Sequence, residues 1–177
     1  MLRRFYLLLT DRRLRAAMTA LRVSGRGLGD LAAAPGRAAD FFRPLKTELD
    51  RAAQDGPPRS LPALGAAADF AARLEKTFSD MSLLQAPPDR AALEALACLQ
   101  RACGAAEGLL SPSRRARADA DLRASTAAGR RSLSSAKAAA DRSPDGFTQN
   151  LKFSTIYSGL DGAFDSLERC AEALFRV

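Results

Sequence analysis

The chain contains no histidine and no tryptophan, valine and isoleucine are nearly absent, and its three cysteines form no CxxC pair. Each shortage removes something. Without histidine there is no ordinary general base near neutral pH, no Ser–His or Cys–His nucleophile pair, and none of the usual zinc ligand sets. With valine and isoleucine so scarce, strands have almost no raw material. The odd count of Cys98, Cys103 and Cys170 argues against a disulfide framework and for a reducing compartment. No run approaches the roughly 18 consecutive apolar residues that a membrane-spanning helix needs. Gly25, Gly27 and Gly29 have neither the spacing nor the preceding strand of a nucleotide phosphate loop. No short-period repeat marks a solenoid.

Alanine and arginine, both good helix formers, fill the space these residues leave. An all-α fold follows, an antiparallel bundle of five to six helices in a single domain over 1–177, with 35–60 its least regular part. About 47% of the 177 residues are apolar, but many are alanine, which buries little area. The core is therefore thin, and thin cores lean on a partner or on self-association. The net charge of +7 would suit a polyanion. Yet the arginines are spread along the chain in pairs such as Arg12/Arg13 and Arg130/Arg131, and the longest basic cluster is only Arg114, Arg115 and Arg117. They read as a solvated helix face. Any nucleic-acid binding is expected to be non-specific and salt-labile.

The first residues, MLRRFYLLLTDRRLRAAMTALR, have the arginine-rich, acid-poor composition of an organellar transit peptide. Leu7-Leu8-Leu9 is too short for a secretory leader, and Asp11 follows at once. A retained first helix in a cytoplasmic protein is the preferred expectation, with an organelle interior as the alternative.

Apolar spacing and Pro/Gly punctuation mark six helical stretches. The first runs from Arg3 to Ala33 through Leu14, Met18, Leu21, Leu28 and Leu31, weakened at Gly25, Gly27 and Gly29 and broken at Pro35-Gly36. The second spans Ala38 to Ala53 with Phe41, Phe42, Leu45 and Leu49, and Asp55-Gly56-Pro57-Pro58 is a loop. The third, Leu61 to Met81, carries Leu64, Leu74 and Phe78; the fourth, Asp89 to Leu110, carries Leu93, Leu96 and Cys103. Ser111-Pro112 has the form of a cap plus first-turn proline for a fifth helix reaching Asp141, whose large apolar residues are Leu122 and Leu133. Ser143-Pro144-Asp145-Gly146 is a turn, and the last helix runs from Phe147 to Phe175.

That last helix is the most patterned text in the chain. Ile156, Leu160, Ala163, Phe164, Leu167, Ala171 and Leu174 form one apolar stripe. Beside it Asp161, Asp165, Glu168 and Glu172 repeat at i, i+4, i+7 and i+11, within about 60° of arc. Four carboxylates in a row repel one another. They call for arginines from a neighbouring helix, a bound cation, or water.

Residues 151–174 resemble the last helix of the PhoU-like proteins that accompany low-affinity phosphate transporters. The resemblance rests on Lys152-Phe153, Ile156-Tyr157, the pair Asp161 and Asp165, and Glu168 with Cys170. Pro87, Asp89 and Arg90 resemble the family's Pro-x-Asp-Arg helix start, Asp119 and Arg123 its Asp-x3-Arg helix, and Asp69 a first-half equivalent. The resemblance implies a non-enzymatic accessory or regulatory bundle that contacts a protein partner, a phosphate transporter or its signalling protein. It also implies metal sites built from acid–x3–Asp pairs, with Asp161 and Asp165 as ligands and Asp119 or Asp69 approaching from a second helix. Such an all-oxygen site would suit Mg²⁺, Mn²⁺, Ca²⁺ or oxidised iron. The chain departs from the pattern where Gly65 and Arg115 replace expected acids and where the stretch around Cys98, Gln100 and Arg101 is acid-poor. No stoichiometric metal is expected on that account, and the row is expected to be paired with arginines or left to water. A structural subunit of a larger bacterial or organellar assembly is the alternative function.

Overall fold

The computed structural model of the protein describes residues 10–140, 142 and 146–177. Within them lie six α-helices and no strand: α1 (Arg12–Ala33), α2 (Ala38–Gln54), α3 (Leu61–Leu83), α4 (Arg90–Ala106), α5 (Arg115–Ala140) and α6 (Phe147–Arg176). Short 3-10 turns at Pro35–Arg37 and Pro58–Ser60 join α1 to α2 and α2 to α3. The all-α expectation is met. The Arg3–Leu9 portion of the first stretch, with its leucine triplet, lies outside the described residues, as do Asp141 and Ser143-Pro144-Asp145.

The chain runs up and down. Arg22 meets Glu107 and Gly25 meets Cys103, so α1 and α4 are antiparallel. Glu94 accepts from Ser132 across α4 and α5. Thr126 and Arg130 meet Glu168 and Asp165 across α5 and α6. Cys170 donates to the Ala63 carbonyl while Gly159 sits on Thr77, which sets α6 antiparallel to α3. The stripe on α6 becomes the centre: Ile156, Leu160, Ala163, Phe164, Leu167 and Leu174 are all fully buried. Phe42, Phe70 and Phe78 bring bulk from α2 and α3 that the alanine-rich helices lack.

Several boundaries differ from those the sequence predicts. The first helix does not run through Asp11. That residue is extended, is buried, and caps α1 by accepting the Leu14 N–H at 3.0 Å. Its second oxygen accepts from the Ser60 hydroxyl, tying the starts of α1 and α3 together. Arg13 donates to the carbonyls of Ala52 and Ala53 at 3.3 and 2.8 Å, closing the C-terminal end of α2. The fourth helix ends at Ala106, and Leu109 and Leu110 are buried in the turns that follow. The fifth starts at Arg115 and not at Pro112: the Ser111 carbonyl accepts from Arg114 and Arg115, so Ser111 opens a turn before the helix.

Leu93 is 48% exposed, because α4 buries the row of Ala92, Leu96, Leu99 and Cys103, and Leu93 lies one residue round from it. Nor are the α1 glycines simply weak points. A Cβ on Gly25 would lie 2.8 Å from that of Cys103, so the missing side chain is what lets α4 close on α1.

Candidate functional site

The acid row lies on the flank of α6 that faces α5, and Arg130 projects from α5 into it. The Arg130 guanidinium is 2.6 Å from Asp165, 3.0 Å from Glu168 and 3.8 Å from Asp161. Thr126, one turn back along α5, donates to the other Glu168 oxygen at 2.5 Å. Arg130 is about one-third exposed. Burial alone would lower its pKa, but the hydrogen bond to Asp165 and the charges of Glu168, Asp165 and Asp161 outweigh burial and raise it. A Cβ on Gly129 would overlap the Phe164 ring, so this glycine is what lets α5 come close enough for Arg130 to span the row.

Glu172 ends the row beyond the reach of Arg130. It lies in the field of Arg123, whose pKa is raised first by its hydrogen bonds to Asp119 and then by neighbouring carboxylates including Glu172. Asp119 pairs with Arg123 at 3.0 Å on α5 itself. With Arg130 opposite Asp165, Asp119 lies eleven residues back, roughly 16 Å along the axis at 1.5 Å per residue. Asp69 belongs to α3 and pairs with Arg169 of α6 at 3.3 Å. The sequence-predicted ligands Asp161, Asp165, Asp119 and Asp69 are thus not brought together. Among the described residues, no three Cys, Asp or Glu side chains converge as a metal would require. The residues present do not fit the cation site the resemblance implies, because an arginine occupies the position between the acids.

The basic cluster is also divided. Arg115 turns inward, donating to the Leu109 carbonyl at 2.9 Å with its guanidinium 5.0 Å from the Phe175 ring centre. Arg117 lies 3.7 Å from Asp121 on the surface and Arg114 is exposed, so the three do not form one patch.

A second junction joins two segments that the sequence singles out separately. Asp89 caps α4 by accepting the Ala92 N–H at 2.9 Å, and its other oxygen accepts from the Tyr157 hydroxyl of α6. Burial raises the Tyr157 pKa, and the bond to Asp89 adds to the shift. Phe153 stacks on Tyr157 with ring centres 5.8 Å apart. The three thiols are all buried. Burial pushes Cys170 up to about 12 and raises Cys103 as well, so neither is a reactive nucleophile.

Sequence reasoning placed the acid row but not its partner. A signal was present: Arg123, Thr126 and Arg130 repeat at i, i+3 and i+7, the spacing of a face able to meet a row of the same period. No protein-family model, curated protein or solved structure matches this chain.

Proposed function

We propose that this chain is a non-enzymatic accessory or regulatory bundle, similar to the PhoU-like proteins, that works through contacts with a protein partner, a phosphate transporter being the expected one. The observation that carries this reading is the Arg130 contact. The acid positions that resemble a ligand row remain, but a guanidinium spans three of them, so their mutual repulsion is offset in part within the chain. A bundle of this kind has its surfaces to act with. The Asp89–Tyr157 contact joins the helix start and the last helix on which that resemblance rests, and the reading is compatible with it. The chain has no histidine, and burial raises the pKa of Cys103 and Cys170, so neither of these thiols offers a reactive nucleophile.

The test is affinity capture of the tagged chain from its own cells at low and at moderate salt. A membrane transport protein retained at both is the expected result. Recovery in a fixed-stoichiometry assembly of many subunits would favour the structural-subunit alternative.

A further inference from the structure

Packing gathers arginines that the sequence scatters. On α1, Arg15, Arg22 and Arg26 share one row at i, i+7 and i+11, and Gly25 beside them meets Cys103 of α4. On the other side of α4, Ala118 of α5 lies against Gly108, which sets Arg114 and Arg117 beside the end of that helix. Two open clefts result, one holding Arg22 and Arg26 and the other Arg114 and Arg117, and Gly104 and Glu107 of α4 line both. They are two halves of one surface, divided by the outer ridge of α4. That ridge has open space where a Cβ on Gly104 would stand, and exposed Arg101 lies on it three residues earlier. Six arginines thus face two acids. Glu107 pairs with Arg22 at 2.7 Å, and Asp121 lies 3.7 Å from Arg117. Arg15, Arg26, Arg101 and Arg114 are exposed and, among the described residues, have no carboxylate partner. None of the exposed large hydrophobic residues lines either cleft.

We propose that this face of α1, α4 and α5 binds a nucleic-acid duplex through its phosphate backbone. The cations are all guanidinium forks, whose planar donors match phosphate oxygens. The contacts at Cys103 and Gly108 lie five residues apart along α4, so the two arginine rows meet it within roughly 8 Å of each other. A duplex carries about one phosphate charge per 1.7 Å of its axis, so several fall within such a patch. What the face lacks decides between occupants. Stable protein interfaces centre on apolar and aromatic anchors, and a single strand is held by aromatic rings on which its bases stack. Neither cleft has such a side chain. A duplex keeps its own bases stacked and needs only cations from its partner. Contacts to phosphate carry no sequence information, so binding is indifferent to sequence. None of these arginines takes part in the Arg130 contact or the Asp89–Tyr157 junction, so the inference stands or falls apart from the accessory-protein reading.

The experiment is fluorescence anisotropy of the full chain with two labelled DNA duplexes of different sequence and about 20 base pairs, and with one of their single strands, between about 50 and 200 mM salt. Both duplexes should bind alike and more tightly than the single strand. Log affinity should fall against log salt with a slope of about −4, close to 0.9 for each of the four unpaired arginines. Arg26→Ala or Arg114→Ala should each reduce that slope by about 0.9 and weaken binding about five- to tenfold near 0.1 M salt. Arg73→Ala, which removes the same charge from an exposed position on α3, should leave the slope unchanged. All three positions are exposed, and unchanged circular dichroism would show that the variants fold. No duplex binding at the lowest salt would overturn the proposal. So would an equal loss of slope in Arg73→Ala, which would mean adsorption by net charge, or tighter binding of the single strand. Displacement of the duplex by polyglutamate at matched charge would also overturn it, by assigning the face to an acidic protein.

Discussion

Single residues decide whether the acid row is a liability or a contact. Arg130 meets three carboxylates while two-thirds covered, and ion pairs at that exposure stabilise modestly. Arg130→Ala should therefore lower stability by about 1 kcal/mol. Adding Asp165→Asn should recover part of the loss by relieving the repulsion. A urea midpoint unmoved by Arg130→Ala would mean that water serves the row equally well. Glycine positions separate in the same way. Nothing lies within 4 Å of a Cβ placed on Gly29, so Gly29→Ala should gain up to about 1 kcal/mol of helix propensity. Gly129→Ala should instead destabilise by about 1–3 kcal/mol, because the buried Phe164 ring occupies the space. The buried thiols set an alkaline limit. Cys170 ionises near 9.0 when unfolded but only at about 12 in the fold, so the unfolded chain releases its proton first. Stability should hold below pH 9 and fall between pH 9 and 12, by on the order of 1 kcal/mol per pH unit for each such thiol. Urea midpoints at pH 8 and 10 check this, and Cys103→Ala with Cys170→Ala should flatten the fall. A fall equally steep without the thiols would assign it to Tyr157 and other groups.

At the scale of the element, α6 is the structural axis. Leu160 and Leu167 are fully buried between α3 and the other helices, so Leu160→Ala or Leu167→Ala should cost about 2–5 kcal/mol through the cavity left behind. Denaturation midpoints unchanged by both would make α6 peripheral. The existence of this helix and its buried stripe was legible in the sequence, because an apolar row at helical spacing has one way to be buried. Helix breaks at Pro35-Gly36 and Asp55-Gly56 were legible for a similar reason, since proline and glycine act locally. What was not legible depends on neighbours. Asp11 could continue a helix or cap one, and Ser60 from a distant segment favours the cap. Ser111 and Pro112 have the composition of a helix start, yet Arg115 holds the Leu109 carbonyl and the helix begins three residues later. Arg130 could be read as solvated until the α5–α6 register set it opposite Asp165, and register is a property of packing.

The described residues form an up-and-down bundle in which α5 covers one flank of α6, where Arg130 meets three members of the acid row, and α3 covers the other. No helix among the described residues is long and apolar enough to cross a membrane. Among the described residues the buried aromatic rings come from α2, α3 and α6, while α4 and α5 bury alanines, a few leucines and other small residues, and this distribution is how a thin, alanine-rich core closes. The central claim is that an arginine of this bundle takes the place of a cation at its acid row, so that function resides on surfaces. Elemental analysis of protein purified without chelator tests it most directly. The account predicts well under one metal ion per chain, unchanged in an Asp161→Asn/Asp165→Asn variant; one or more ions per chain, lost in that variant, would contradict it.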